Sequence, residues 1–151
     1  MKKLIIPIFS ALILFACDSK KTAETDSEEG AVVTTEVEEV SGKVFFVSPN
    51  NGDSVSSPVT IVMGVEGMEI EPAGVVTVGK GHHHLIIDGN FIEKGVVVPA
   101  DSTHKHYGKG QTEAQLELSP GNHTITMQFA DGVHTSYGED WSTTISIFVN
   151  E

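Results

Sequence analysis

Short runs of apolar residues, separated by glycine, proline and asparagine, recur along the chain from residue 41 onward. Several of these runs alternate apolar and polar side chains, which puts the apolar ones on one face of a β-strand. Helical periodicity nowhere exceeds two turns. The pattern predicts an irregular connection over residues 69–78 and about seven strands, of which the fourth is a short edge strand: residues 44–47, 58–65, 82–88, 95–98, 112–118, 123–129 and 141–149.

This number of short strands in about 110 residues favours an all-β fold, an immunoglobulin-like β-sandwich. A chain segment of this size can bury one hydrophobic core. The Cys-Trp-Cys signature of antibody domains is absent from the sequence, so only the architecture is predicted. We therefore expect one β-sandwich domain over residues 41–151.

The beginning of the chain has a different character. Two lysines precede an apolar run over residues 4–14, which is too short to cross a bilayer as a stable helix. The run ends in Leu14-Phe15-Ala16-Cys17, which resembles the lipobox of bacterial lipoproteins. The sequence thus predicts a lipoprotein signal peptide over residues 1–16 and a diacylglycerol-bearing, palmitoylated Cys17 that attaches the protein to a membrane. An ordinary secretory signal with an incidental cysteine is the alternative.

An acidic segment follows the signal peptide. Residues 18–39 contain eight acidic side chains, two lysines and no aromatic residue. Such a composition cannot bury enough apolar surface to offset the entropy lost on ordering. We predict that residues 17–40 form a lipidated, disordered tether, which would hold the folded domain away from the membrane of a bacterial cell envelope.

The charge balance excludes several classes of protein. The 151 residues include nine lysines, no arginine and 21 acidic residues, for a net charge of −12. Nucleic-acid binding and polybasic attachment to a membrane surface both need clustered cations, so neither is expected. A single cysteine also excludes a disulfide framework within the chain.

Seven histidines are the part of the composition most suited to chemistry. Side chains two apart on a strand share a face, so His82 and His84 point the same way. His104 and His106 form a second pair of this kind if their segment is extended. Two such pairs brought together would offer four imidazoles, which suit Cu(II) in a tetragonal site or Zn(II) in a tetrahedral one.

Two further histidines have more than one interpretation. His83 shares a face with apolar residues, so it is either a buried, hydrogen-bonded side chain or a ligand. His134, in the loop after Asp131-Gly132, is a fifth ligand or a substitute for one of the four. His123 follows a turn and is expected to have a structural role. The candidate metal ligands are therefore His82, His83, His84, His104, His106 and His134.

Three motifs together resemble a known family. They are residues 81–89 (Gly-His-His-His-Leu-Ile-Ile-Asp-Gly), residues 106–113 (His-Tyr-Gly-Lys-Gly-Gln-Thr-Glu) and residues 120–124 (Pro-Gly-Asn-His-Thr). The chain is similar over residues 43–149 to a bacterial extracytoplasmic domain-of-unknown-function family, number four-three-nine-nine in the usual series. The resemblance implies a secreted or lipid-anchored single domain and carries no assigned activity.

Three functions remain open from the sequence. The first is a non-enzymatic module that binds copper or zinc at the cell envelope. The second is a structural lipoprotein, or one that binds a polar ligand without metal. The third is an enzyme that uses a histidine-bound metal, with Glu113 or Asp88 as its acid or base. No hydrolase or phosphate-binding motif is present, so no catalytic residue is predicted.

Overall fold

The computed structural model describes residues 42–151. The predicted signal peptide, the lipidation site Cys17 and the acidic tether lie outside the described residues. Within residues 42–151, no helix combines the length and apolar character needed to cross a membrane.

Residues 42–151 contain nine strands and one 3-10 helix, Glu139–Trp141. The strands are β1 (Lys43–Ser48), β2 (Ser54–Val55), β3 (Val59–Glu66), β4 (Glu69–Ile70), β5 (Lys80–Ile87), β6 (His104–His106), β7 (Glu113–Leu116), β8 (Gly121–Ala130) and β9 (Ser142–Val149). They form two sheets. The smaller sheet has the order β1-β3-β7, and the larger has the order β2-β9-β8-β5-β4, with β6 also paired to β5.

The prediction of an all-β sandwich is confirmed, but the number of about seven strands was too low. β2, β4 and β6 are only two or three residues long, too short for an alternating pattern to be recognised. Residues 95–98 do not form a strand of either sheet. Their backbone instead pairs with a neighbouring loop, through a single bridge between Val97 and Thr135.

The hydrophobic core lies between the two sheets. On β8, Ile125, Met127 and Phe129 point into it, as their alternation predicts. Both sheets, the connection after β7 and the 3-10 helix contribute buried side chains to this core, namely Val44, Val59, Ile61, Met63, Leu85, Ala114, Leu116, Leu118, Ile125, Met127, Phe129, Trp141, Ile145, Ile147 and Val149.

The opposite face of β5 and β8 is also buried, because two segments cover it. We call residues 89–98 and 131–138 the cover. Gln128, fully buried on this face, accepts a hydrogen bond from the Ile92 amide at 3.0 Å and donates to the carbonyls of Gly138 and Trp141 at 3.0 and 3.2 Å. Thr126 donates to the Gly89 carbonyl at 2.7 Å. A polar side chain in the sheet thereby fixes both parts of the cover.

A histidine–carboxylate pair joins the end of β5 to the start of β8. His123 donates from Nδ1 to Asp88 at 2.9 Å and from Nε2 to the Ser119 carbonyl at 3.0 Å. Burial opposes protonation of His123, but these two bonds outweigh burial and raise its pKa. Burial also opposes ionisation of Asp88, but bonds from Thr124 and His123 outweigh it and lower its pKa. This geometry agrees with a structural role for His123.

The pair predicts a pH-dependent contribution to stability. The raised pKa of His123 gives a contribution that is complete below about pH 6.5 and is lost as the pH rises through the folded-state value. The lowered pKa of Asp88 gives one that is lost as the pH falls below about 4. Asp88→Asn, which tolerates the positive φ of 54° at this position, should therefore destabilise the domain more at about pH 5.5 than at about pH 8.5. Urea unfolding at both pH values measures this, and a pH-independent difference would contradict it.

The location of the core predicts that two valine-to-alanine substitutions have different effects on the free energy of unfolding. Val59 is 2% exposed and belongs to the core, whereas Val78 is 88% exposed. Val59→Ala removes buried methyl groups and leaves a cavity, so it should lower the free energy of unfolding by about 2 kcal/mol. Val78→Ala should change it by less than about 0.5 kcal/mol. Equal effects in urea unfolding would show that the core is placed wrongly.

Candidate metal centre

Strand β5 places alternate histidines on opposite faces. His82 and His84 lie on the face beneath the cover and are 0% and 1% exposed. On the neighbouring strand β8, Ala130 lies opposite His82 and Gln128 lies opposite His84. His83 points the other way, into the core, and is paired with Phe129. The alternation read from the sequence is therefore correct for all three residues.

Four imidazole rings converge beneath the edge of the cover. Strand β6 pairs antiparallel with β5 and sets His106 directly opposite His84. The Nε2 atom of His82 lies 3.0 Å from that of His84 and 3.1 Å from that of His106. The Nε2 atom of His134 lies 3.0 Å from that of His106. Ligand atoms of His82, His84 and His106 all lie within 4.8 Å of one another, close enough to share a metal ion.

A strained turn positions His134. The residue has a φ of 70°, which is uncommon for a residue with a side chain and costs about 1–3 kcal/mol. One carboxylate oxygen of Asp131 accepts hydrogen bonds from the amides of Val133 at 2.9 Å and Thr135 at 2.8 Å. The His134 amide donates to the Asp131 carbonyl at 2.9 Å. These three bonds hold the conformation that directs the ring toward His106.

A third loop joins the two segments that carry His106 and His134. The Ala73 amide donates to the Gly108 carbonyl at 2.8 Å, and the Gly74 amide donates to the Gly132 carbonyl at 2.7 Å. Gly108 follows His106 by two residues, and Gly132 precedes His134 by two. The backbone of consecutive residues thus fixes the spacing between the two loop-borne histidines.

Gly108 leaves the space that the His106 ring occupies. A Cβ atom at this position would overlap Nε2 and Cε1 of His106 and approach Cβ of Ala73 to 3.2 Å. The requirement for glycine here was not recognised from the sequence. Its position two residues after a candidate ligand is the signal that could have indicated it.

Three histidines of the cluster are neutral at pH 7. Burial, followed by the neighbouring imidazoles, lowers the pKa of His82 to about 4 and that of His84 to about 3. Burial and the adjacent His134 also lower the pKa of His106. A neutral imidazole keeps a lone pair, which is the form that binds a metal. Within residues 42–151, the hydrogen bonds of these Nε2 atoms run only to one another.

The two remaining candidate ligands lie elsewhere. His83 is fully buried against Phe129, at 5.1 Å between ring centres, and neither of its ring nitrogens has a partner among the described residues. His104 bonds through Nδ1 to Asp101 at 2.8 Å. Of the six candidates, the structure therefore brings together His82, His84, His106 and His134.

Comparison with known proteins identifies the family of this chain. The fold and the site define a small all-β domain that carries a cluster of four histidines, of which His82 and His84 are buried. The chain belongs to the family described as Domain of unknown function (DUF4399), whose model matches residues 61–150 and so includes the whole cluster. The family membership expected from the motifs is confirmed. No curated protein and no solved structure matches the chain.

The position of Gly108 predicts a displacement of the His106 ring. Gly108→Ala should move the ring out of the cluster, because the added methyl group takes its place. A crystal structure of the variant should show the Nε2 atoms of His82 and His106 clearly farther apart than 3.1 Å. A ring that stays in place would contradict the role given to this glycine.

Proposed function

We propose that this chain is a lipid-anchored bacterial envelope protein whose domain binds a transition metal ion, copper or zinc, without catalysing a reaction. The ligands are His82, His84, His106 and His134. The observation that carries the proposal is the series of Nε2 contacts from His84 through His82 and His106 to His134, at separations of 3.0–3.1 Å, in which the first three residues all lie within 4.8 Å of one another.

The separations match those of a coordination shell. A metal with bonds of about 2.0–2.1 Å to nitrogen holds neighbouring donor atoms about 2.9–3.4 Å apart. Bringing uncharged imidazoles together in this way has a cost, because burial removes the hydration of His82 and His84. A shared cation would compensate that cost by using all four lone pairs.

The carboxylates near the cluster or suggested by the sequence are already bonded or distant: Asp131, whose charge acts on His82, accepts hydrogen bonds from the amides of its own turn. A catalytic metal works with a nearby acid or base. Asp88 is bonded to His123, and Glu113 is exposed on β7 in the opposite sheet. Of the two carboxylates suggested by the sequence, Asp88 is therefore already hydrogen-bonded and Glu113 lies in the other sheet.

Attachment to the envelope is the second part of the proposal. It is supported by the apolar segment over residues 4–14, the lipobox-like ending at Cys17 and the acidic spacer before the domain. Acyl chains contribute about 0.8 kcal/mol for each buried methylene, so a lipidated Cys17 would keep the protein on the membrane. The spacer would let the domain meet ions in the periplasm or at the cell surface.

A metal-free structural role is the competing candidate. It draws on the same contacts, since a protonated Nε2 of one neutral imidazole can donate to the Nε2 lone pair of a neighbour. His82 lies within hydrogen-bond distance of both His84 and His106. In this alternative the cluster would order the loops by itself or hold a polar ligand.

Metal titration decides between the candidates. The full chain, purified in detergent without a histidine tag, should bind one Zn(II) or Cu(II) ion per chain in calorimetry. Replacing both loop-borne ligands, in His106→Ala/His134→Ala, should weaken binding by about 100-fold or more, since even the loss of an outer partner costs 10–100-fold.

His104→Gln is the matched control, because it removes an imidazole from the same strand as His106 but from outside the cluster. Its affinity should stay within about threefold of the wild type. Affinity weaker than millimolar, or equal affinity in the double variant, would exclude the metal site and leave the structural role.

A further inference from the structure

We infer that the four histidines form a closed tetrahedral site for Zn(II), in which the protein supplies every ligand. This inference rests on the proposed function and deepens it. It selects between the two metals and assigns a role in holding the ion rather than in activating water. Two independent observations support this inference: the distances between the rings, and the strands and loops from which the rings project.

The separations between ring centres are nearly uniform. The four rings make six pairs, and their centres lie between 4.4 and 5.8 Å apart. Only the pair of His84 and His134, at 5.8 Å, exceeds 5.1 Å. The four ring centres are therefore about equally far from one another, and no two pairs are clearly longer than the rest.

This uniformity distinguishes two coordination geometries. With metal–nitrogen bonds of about 2.0–2.1 Å, a tetrahedron puts all six ring centres about 5.2 Å apart. A square plane needs four separations of about 4.5 Å and two of about 6.4 Å across the metal. The observed set lacks both long separations. It corresponds to the tetrahedron, which suits Zn(II), and not to the plane that Cu(II) prefers.

The fold explains why the rings are not coplanar. His82, His84 and His106 project from one face of the same sheet, since β6 pairs with β5. His134 comes from the cover, which packs over that face. Three ligands at the level of the sheet and one above it describe a tetrahedral arrangement. The bonds from Ala73 and Gly74 hold the fourth ligand at that height.

A shell of four protein nitrogens leaves no place for a reacting water. Zinc sites of structural type are closed, whereas catalytic ones use three protein ligands and keep the fourth position open. His134 is the ligand that decides between the two types here. With it the domain retains an ion. Without it the three remaining histidines would leave one position to solvent.

Cobalt substitution tests the geometry directly. The full chain loaded with Co(II) should show the intense visible absorption of a four-coordinate ion, and Zn(II) should displace the cobalt and bleach the spectrum. His134→Ala should still bind Co(II) but with shifted bands, because a water replaces the missing imidazole. His123→Gln, which removes an imidazole far from the cluster, should give the wild-type spectrum.

The outcomes separate this inference from the proposed function. Weak bands of six-coordinate cobalt, or an unchanged spectrum in His134→Ala, would overturn the closed tetrahedral site while metal binding stands. An electron paramagnetic resonance spectrum typical of square-planar Cu(II), together with no binding of Zn(II), would overturn the choice of zinc while metal binding stands. Failure to bind cobalt, zinc or copper at all would overturn both the inference and the proposed function.

Discussion

The burial of both faces of β5 and β8 is the constraint on which the site depends. A sheet in a sandwich usually has one face in the core and one in water, and its polar residues occupy the second face. Here the cover excludes water from that second face, and Gln128 fixes the cover through its contacts with Ile92 and Gly138. His82 and His84 are therefore desolvated and neutral, although they stand where solvent-exposed residues would normally be found.

The buried histidines and the strained turn lower the stability of the domain. The Nδ1 atoms of His82 and His84 are buried with no partner among the described residues, and each such atom costs about 1–3 kcal/mol. The strained turn at His134 adds a further cost of similar size. A ligand that binds only the folded chain would offset these costs, since binding stabilises the native state by mass action. If the proposed metal binds, the domain holds its histidines in place beforehand at the expense of its own stability.

The fold could largely be predicted from the sequence because its long strands have clear patterns. Alternation located β8 and β9, and the two-residue period placed His82 and His84 together. The assembly of the cluster could not be predicted, since it depends on the register between β5 and β6 and on a positive φ at His134. Neither leaves a periodic signal. The same limit applies to residues 95–98, where Val98 is buried but Val96 and Val97 are exposed, so the apolar run does not mark a strand of a sheet.

Some histidines of the domain are bonded to a carboxylate, whereas those of the cluster are bonded to one another. His104 and His123 each bond an aspartate through Nδ1, and at His123 this bond helps to raise the pKa. His82, His84 and His106 contact other imidazoles instead, and burial, followed by these neighbours, lowers their pKa values and keeps their lone pairs available. Metal-binding histidines often use a hydrogen bond at the second nitrogen to set their orientation. Here the pairing of β5 with its neighbours and the absence of a side chain at Gly108 set the orientation, so backbone geometry does what an outer shell of hydrogen bonds does elsewhere.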